Sequence, residues 1–192
     1  MTAPLDSAKA SLRQQVRARL NAITPAHRGA ASLQICSRLR QQTIWQSAGS
    51  ILSFAPLPAE PDIWPLLEEA WLAGKTVALP RFASQKQSYV ACVVQNPGAD
   101  LASGQFGIRE PGDSCPEFPL NRLDFVLVPG VAFDARGRRL GRGKGFYDRL
   151  LPAVNGTKCG VAFDEQIVEA VPVGPLDIRL DCILTPTRWI ET

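Results

Sequence analysis

Leu12, Val16 and Leu20 recur every fourth position, so Ser7 to about Leu20 is predicted to form a helix with one packing stripe and Ser7 as its N-cap. Lys9, Arg13 and Arg17 form a second four-residue series that sets a cationic row beside the stripe, either a solubilising face or an anion-binding one. Thr24 and Pro25 predict the start of a second helix, a cap followed by proline at the first helical position, with His27 just inside as a surface or packing residue. Beyond it, short apolar runs at Ile51 to Ala55, Thr76 to Leu79, Tyr89 to Val94, Phe125 to Val128, Cys159 to Phe163 and Cys182 to Leu184 read as strands. Helical segments fall at Asp62 to Trp71, stopped near Gly74, and at Phe146 to Leu151. This alternation predicts an α/β domain with a central sheet and a β-rich edge insertion around Ser84 to Phe106. The proline-rich Asn96 to Pro119 stretch is an active-site loop or a bridge between sheet edges.

The 192 residues, 45% of them apolar, fit one domain with a substantial core. A net charge of +3 is modest, and no aromatic residues interleave with a basic stripe, which argues against a nucleic-acid platform. Five scattered cysteines and a single histidine give neither a disulfide framework nor a common zinc constellation. Each cysteine reads as a small buried side chain. With no signal-like apolar core and no run of membrane-spanning length, the expectation is a cytoplasmic protein.

Candidate chemistry concentrates in GRRLGRGKGFYDR, Gly137 to Arg149, directly behind the apolar run Phe125 to Phe133. Gly141, Gly143 and Gly145 let the backbone bring N–H groups against an anion, and Arg142 and Lys144 add charge, so the segment reads as a phosphate cradle. The spacing is not GxxxxGK[ST], which excludes a P-loop; a solvated surface turn is the plainer alternative. Phe146, Tyr147 and Leu150 anchor a short following helix. Asp148 is placed to reach a magnesium ion beside bound phosphate, or else acts as a cap or an ion partner of Arg149; Asp177 is the candidate second carboxylate. Asp134 reads as a turn residue before Gly137.

The chain resembles the 5-formyltetrahydrofolate cyclo-ligases, also called methenyltetrahydrofolate synthetases. The resemblance rests on K-x-x-x-R at Lys9 to Arg13, Glu60 after the first strand, LPR at Leu79 to Arg81 and FGIREP at Phe106 to Pro111. It continues through PGVAFD joined to GRRLGRGKGFYD, then GVAFDEQ and VPVGPLDIRLD, and so covers most of the chain in matching order. With the periodicity it gives the expected fold class: α/β, a single three-layer Rossmann-like domain over residues 1–192, with a central, mainly parallel sheet and antiparallel edge additions.

The resemblance implies ATP-dependent cyclisation of 5-formyltetrahydrofolate to 5,10-methenyltetrahydrofolate with release of ADP and phosphate, ATP and Mg2+ being required. It assigns ATP to Lys9, Arg13, Arg139, Leu140, Gly141, Arg142, Gly143, Lys144, Gly145, Phe146 and Tyr147. It assigns folate to Glu60, Arg142, Gly143, Lys144, Gly145 and Phe146, and magnesium to Asp148 and Asp177. Arg142, Lys144 and Asp148 form the expected catalytic set. Two positions depart from the family pattern: Phe146 replaces one tyrosine of a GYYD pair and so lacks a hydroxyl donor, and Leu176 stands where some relatives carry histidine. Phe54, Trp64, Phe82 and Phe106 are candidate apolar cover for folate or core aromatics, while Arg109 and Glu110 shape a substrate-facing loop or form a local charge pair. The expected partner is a reduced folate, with no nucleic acid and no membrane, bound by a monomer. The competing classes are a noncatalytic nucleotide- or folate-binding domain of the same fold and an RNA-binding module.

Overall fold

The structure, a computed structural model, describes residues 3–86, 88–104 and 108–192. Helices α1 (Ala3–Asn21), α2 (Pro25–Arg40) and α3 (Thr43–Ser47) precede β1 (Ser50–Leu52), and α4 (Trp64–Leu72) leads to β2 (Thr76–Ala83). There follow β3 (Ser88–Val93), α5 (Pro97–Asp100), β4 (Leu101–Ser103), β5 (Arg109–Pro111), β6 (Glu117–Phe118) and β7 (Phe125–Val128). The last third contains β8 (Ala132–Asp134), β9 (Arg139–Leu140), α6 (Phe146–Leu150), β10 (Thr157–Val161), β11 (Ile167–Val168), β12 (Cys182–Leu184) and β13 (Trp189–Glu191).

The main sheet runs β13-β12-β10-β7-β1-β2-β3-β6. Its five middle strands, β12 to β2, are parallel, while β3, β6 and β13 add antiparallel edges. Alternate side chains point to opposite faces, which is why one apolar run builds two cores. Phe125 and Leu127 pack with Ile35 and Leu39 of α2 and Leu66 and Leu67 of α4. Val126 and Val128 pack on the other face with Leu150, Leu151 and Leu180. Helices on both faces give the three expected layers.

The chain leaves β1 for β2 on one side and later returns through β7 on the other, so the direction of winding reverses between β1 and β7. Open α/β sheets bind ligands outside the carboxyl ends of their strands at such a switch point. A small hairpin of β8 and β9, joined by β11, rises beside it. Asp134, fully buried, fixes this hairpin: its carboxylate accepts the amides of Arg136, Arg138 and Val171 and the side chain of Arg138 at 2.6 Å. Gly137 turns the hairpin at φ 76°, where a Cβ would lie 2.4 Å from the Leu180 carbonyl.

Thr24 caps α2 as expected, accepting the His27 amide. Ser7 does not cap α1, which begins at Ala3 and places Ser7 inside it. The predicted 51–55 strand ends at Leu52, although Ser53 still donates to Ala78 across the sheet. The helix expected from Asp62 begins at Trp64, with Asp62 Oδ1 accepting the Trp64 amide at 3.0 Å. The 97–119 excursion has structure of its own in α5, the β4–β5 hairpin and β6, and Arg81 of β2 ties it down by donating to the Gly112 carbonyl at 2.7 Å. Phe106 lies outside the described residues. All five cysteines are buried and free.

Asp124 organises the opposite end of the sheet, where one oxygen accepts Gly49 N, Ser50 N and Ser50 Oγ at 2.8–2.9 Å. The Ser50 hydroxyl, helped by those amides and by Lys75, holds its carboxyl below the ordinary 3.8 despite some burial. A depressed folded pKa stabilises above the unfolded value and ceases to do so as pH falls through the folded one. Asp124→Ala is therefore expected to lose about 1 kcal/mol at neutral pH, solvent screening included. In urea titrations the difference from wild type should shrink below about pH 4.

Candidate active site

A cavity of about 350 Å³ opens at the switch point, floored by Phe54 and Ala55 after β1, Pro80 of β2 and Pro129 and Gly130 after β7. Every ATP, folate and magnesium residue that the family pattern assigns, from Lys9 to Asp177, lines it, whereas of the candidate apolar cover Phe54 lines it and Trp64 and Phe82 do not. Segments far apart in the chain are brought together by packing. Val16 of α1, wholly buried, seats between Val131, Ala132, Leu140 and Val171, with Leu12 and Leu20 beside it. That contact carries the cationic row of α1 over the glycine loop: Arg13 Nε donates to the Gly141 carbonyl at 2.9 Å, and Lys9 reaches Asp177 at 2.6 Å.

The loop from Gly141 to Gly145 leaves β9 and enters α6 with φ of 104° at Gly143 and 62° at Gly145. None of its backbone N–H groups has an acceptor among the described residues. Unpaired amides beside a cavity, in a backbone shape that only glycine takes readily, make an anion-binding concavity. Lys144 has no ion-pair or hydrogen-bond partner for its ammonium among the described residues. The other cations are engaged. Arg139 is buried, its guanidinium contacting Asp148 Oδ1 at 2.8 Å and lying 5.5 Å from the centre of the Tyr147 ring. Arg142 contacts Glu60 Oε1 at 2.7 Å.

Asp148 thus pairs with Arg139 across the loop and not with its neighbour Arg149, which turns back to the Lys144 carbonyl and the Phe146 ring. No cluster of three or more potential metal-ligating side chains occurs among the described residues. Asp148 and Asp177 nevertheless line the same cavity, and Asp148 Oδ2 and Asp177 Oδ1 have no protein partner among the described residues. Two such carboxylates suffice for a hard cation that takes its remaining ligands from phosphate and water.

A further wall comes from the 96–119 stretch, in keeping with its reading as an active-site loop, and from Tyr89, which the sequence did not single out. Tyr89 of β3 and Ile108, Arg109 and Glu110 around β5 line the cavity, delivered there by strand pairing between residues the sequence does not relate. Phe146 packs edge-on against Tyr89 and Phe82, with centroids 4.8 and 5.5 Å apart, so the ring that lacks the family hydroxyl completes an aromatic cluster. Burial pushes the Glu110 carboxyl up against a Phe82 amide that pulls it down, and burial followed by the Glu110 charge pushes up Tyr89. Arg109 does not pair with Glu110 but stacks on Trp64, 5.0 Å from the ring centre. The Tyr147 hydroxyl is buried without a hydrogen-bond partner among the described residues, and its pKa is raised chiefly by that burial.

Fold and site together define an α/β domain with a cavity lined by cations and unpaired amides at the carboxyl edge of a mainly parallel sheet. The model of the 5-formyltetrahydrofolate cyclo-ligase family matches residues 6–186, and the chain belongs to that family. It is 35% identical over 180 residues to the 5-formyltetrahydrofolate cyclo-ligase of Escherichia coli K12, covering 92% of this chain and 99% of that one. With the mouse 5-formyltetrahydrofolate cyclo-ligase it shares 30% identity over 191 residues, 94% of each chain. The NMR structure of Aquifex aeolicus 5,10-methenyltetrahydrofolate synthetase superposes with a TM-score of 0.86 at 33% identity, covering 95% of this chain and 92% of that one.

Gly143→Ala tests the cradle. Its Cβ would meet nothing closer than the Arg13 guanidinium at 3.7 Å, so the cost is conformational. A positive φ costs a side chain about 1–2 kcal/mol, or about 5- to 30-fold in a binding constant. The exposed loop of the variant relaxes from that φ when empty and must return to it to bind, so nucleotide affinity by calorimetry should fall by that order while the melting temperature changes little.

Proposed function

We propose that this chain catalyses ATP-dependent closure of 5-formyltetrahydrofolate to 5,10-methenyltetrahydrofolate, releasing ADP and phosphate. Family membership supports the reaction, and one observation carries the assignment of the site. The unpaired amides of Gly141 to Gly145 and the unpartnered Lys144 ammonium share a cavity with the Glu60 carboxylate. A phosphate-binding half and a heterocycle-binding half thus stand within one ligand's reach.

The formyl oxygen attacks the γ-phosphorus, the bond to the β,γ-bridging oxygen breaks and ADP leaves. N10 then attacks the activated formyl carbon and gives up its proton, and phosphate departs with the former formyl oxygen. The protein supplies no nucleophile; it aligns and neutralises. Lys144, Arg142 and the loop amides take the charge that spreads over the transferring phosphoryl oxygens. Lys9 and Arg13, held over the loop by α1, bind the remaining phosphates, while Arg139, buried against Asp148, orients that carboxylate. Asp148 and Asp177 would hold the magnesium ion, which offsets phosphate charge. Glu60 accepts the N–H donors of the pterin edge, with Phe54 and the Phe146 cluster as apolar cover.

Free, buried thiols at all five cysteines suit a reducing compartment, and we read the protein as a cytoplasmic monomer. No helix among the described residues is long and apolar enough to cross a membrane.

Turnover of substrate labelled with 18O in the formyl group tests the route: the label is expected in released phosphate, and product formed without that transfer rules the route out. Lys144→Ala at saturating ATP is expected to lower kcat by about 10²- to 10³-fold with the fold intact. Near-normal turnover would remove Lys144 from the phosphoryl step.

A further inference from the structure

The Glu60–Arg142 pair joins the two halves of the cavity, and its partners are held very differently. The Glu60 side chain is 9% exposed. Its Oε2 accepts the Leu57 amide at 3.0 Å, while the Glu60 amide donates to the Leu57 carbonyl at 2.9 Å. The carboxylate is therefore fixed by its own turn, with Oε1 left to meet a donor. Arg142 occupies that oxygen at 2.7 Å from a loop position between two glycines, with its side chain 52% exposed and without another hydrogen bond among the described residues. One partner is rigid and the other can leave.

Resting on the function proposed above, we infer that Arg142 blocks the folate-recognising carboxylate until nucleotide phosphate draws it away, so that nucleotide and reduced folate strengthen each other's binding. Once the pair opens, each group is partnered only when both ligands are bound, because nucleotide alone bares Glu60 and folate alone must displace Arg142. Arg142 trades one carboxylate oxygen for phosphate oxygens, which a guanidinium binds in bidentate fashion, and Glu60 trades Arg142 for pterin N–H donors. Coupling between two ligands is reciprocal and commonly amounts to about 5- to 150-fold in affinity.

Removing Arg142 separates this inference from a direct folate contact by the sign of the effect. Calorimetry would measure 5-formyltetrahydrofolate binding with and without Mg2+ and the β,γ-imido analogue of ATP. Wild type would be compared with Arg142→Met, which keeps the aliphatic stem. Salt at about 0.3 M limits the effect of the lost charge on the folate's anionic tail. Wild type should bind folate at least about 5-fold more tightly with the analogue present. The variant, checked for folding by its melting curve, should bind folate more tightly than wild type without nucleotide and gain less than about 2-fold from adding it, well below that coupling. The inference is overturned if Arg142→Met weakens or leaves unchanged nucleotide-free folate binding, if it keeps the full coupling, or if wild type shows no coupling. Wild-type protein that binds neither ligand would instead sink the proposed function, and this inference with it.

Discussion

A concave site that gathers carboxylates and cations must neutralise them when it is empty, because a buried charge without a partner costs more than the fold can spare. The structure meets this constraint from within. Lys9 answers Asp177, Arg139 answers Asp148 and Arg142 answers Glu60; the first and last pairs join segments that the chain leaves far apart, and the second closes the glycine loop. Arg13 and Arg109 are left to carbonyl oxygens, and Lys144, whose ammonium has no partner among the described residues, sits in the loop whose backbone amides are also unpaired. The empty cavity is therefore nearly balanced, with its excess positive character concentrated where phosphate is to bind.

This arrangement rests on packing more than on the ion pairs. Val16 is buried among residues of the β8–β9 hairpin and the segment at Val171, which places Lys9 and Arg13 over the loop. The hairpin is fixed in turn by Asp134, whose four hydrogen bonds satisfy a fully buried carboxylate. Without α1 the cradle would keep its glycines but lose two of its cations, so a helix with little core contact of its own contributes to the site through a single apolar stripe.

The parallel strands were legible because burial on both faces leaves continuous apolar runs such as Phe125 to Val128, and the glycine loop because its residue types have few other uses. The family pattern supplied the remaining site positions. What stayed hidden depended on contacts between distant residues. Lys9 and Asp177 are 168 positions apart, and local proximity suggested Arg149 for Asp148 where the fold supplies Arg139. Tyr89 reaches the cavity through an antiparallel pairing whose register no local pattern announces, beside Arg109 and Glu110, which the loop reading had already singled out. Ser7 looked like a cap because serine favours that position, but α1 continues through it to Ala3.

The buried cysteines give the molecule a built-in reporter. Burial raises the thiols of Cys36 and Cys92 to about 11, and Cys159 and Cys182 sit opposite one another on the adjacent parallel strands β10 and β12. Since the thiolate is the reactive form, alkylating reagents have little to attack while the sheet is closed. The order in which the five sulfurs are labelled then traces the order in which the layers open, with Cys92 on the antiparallel β3 set against the Cys159–Cys182 pair on the parallel strands.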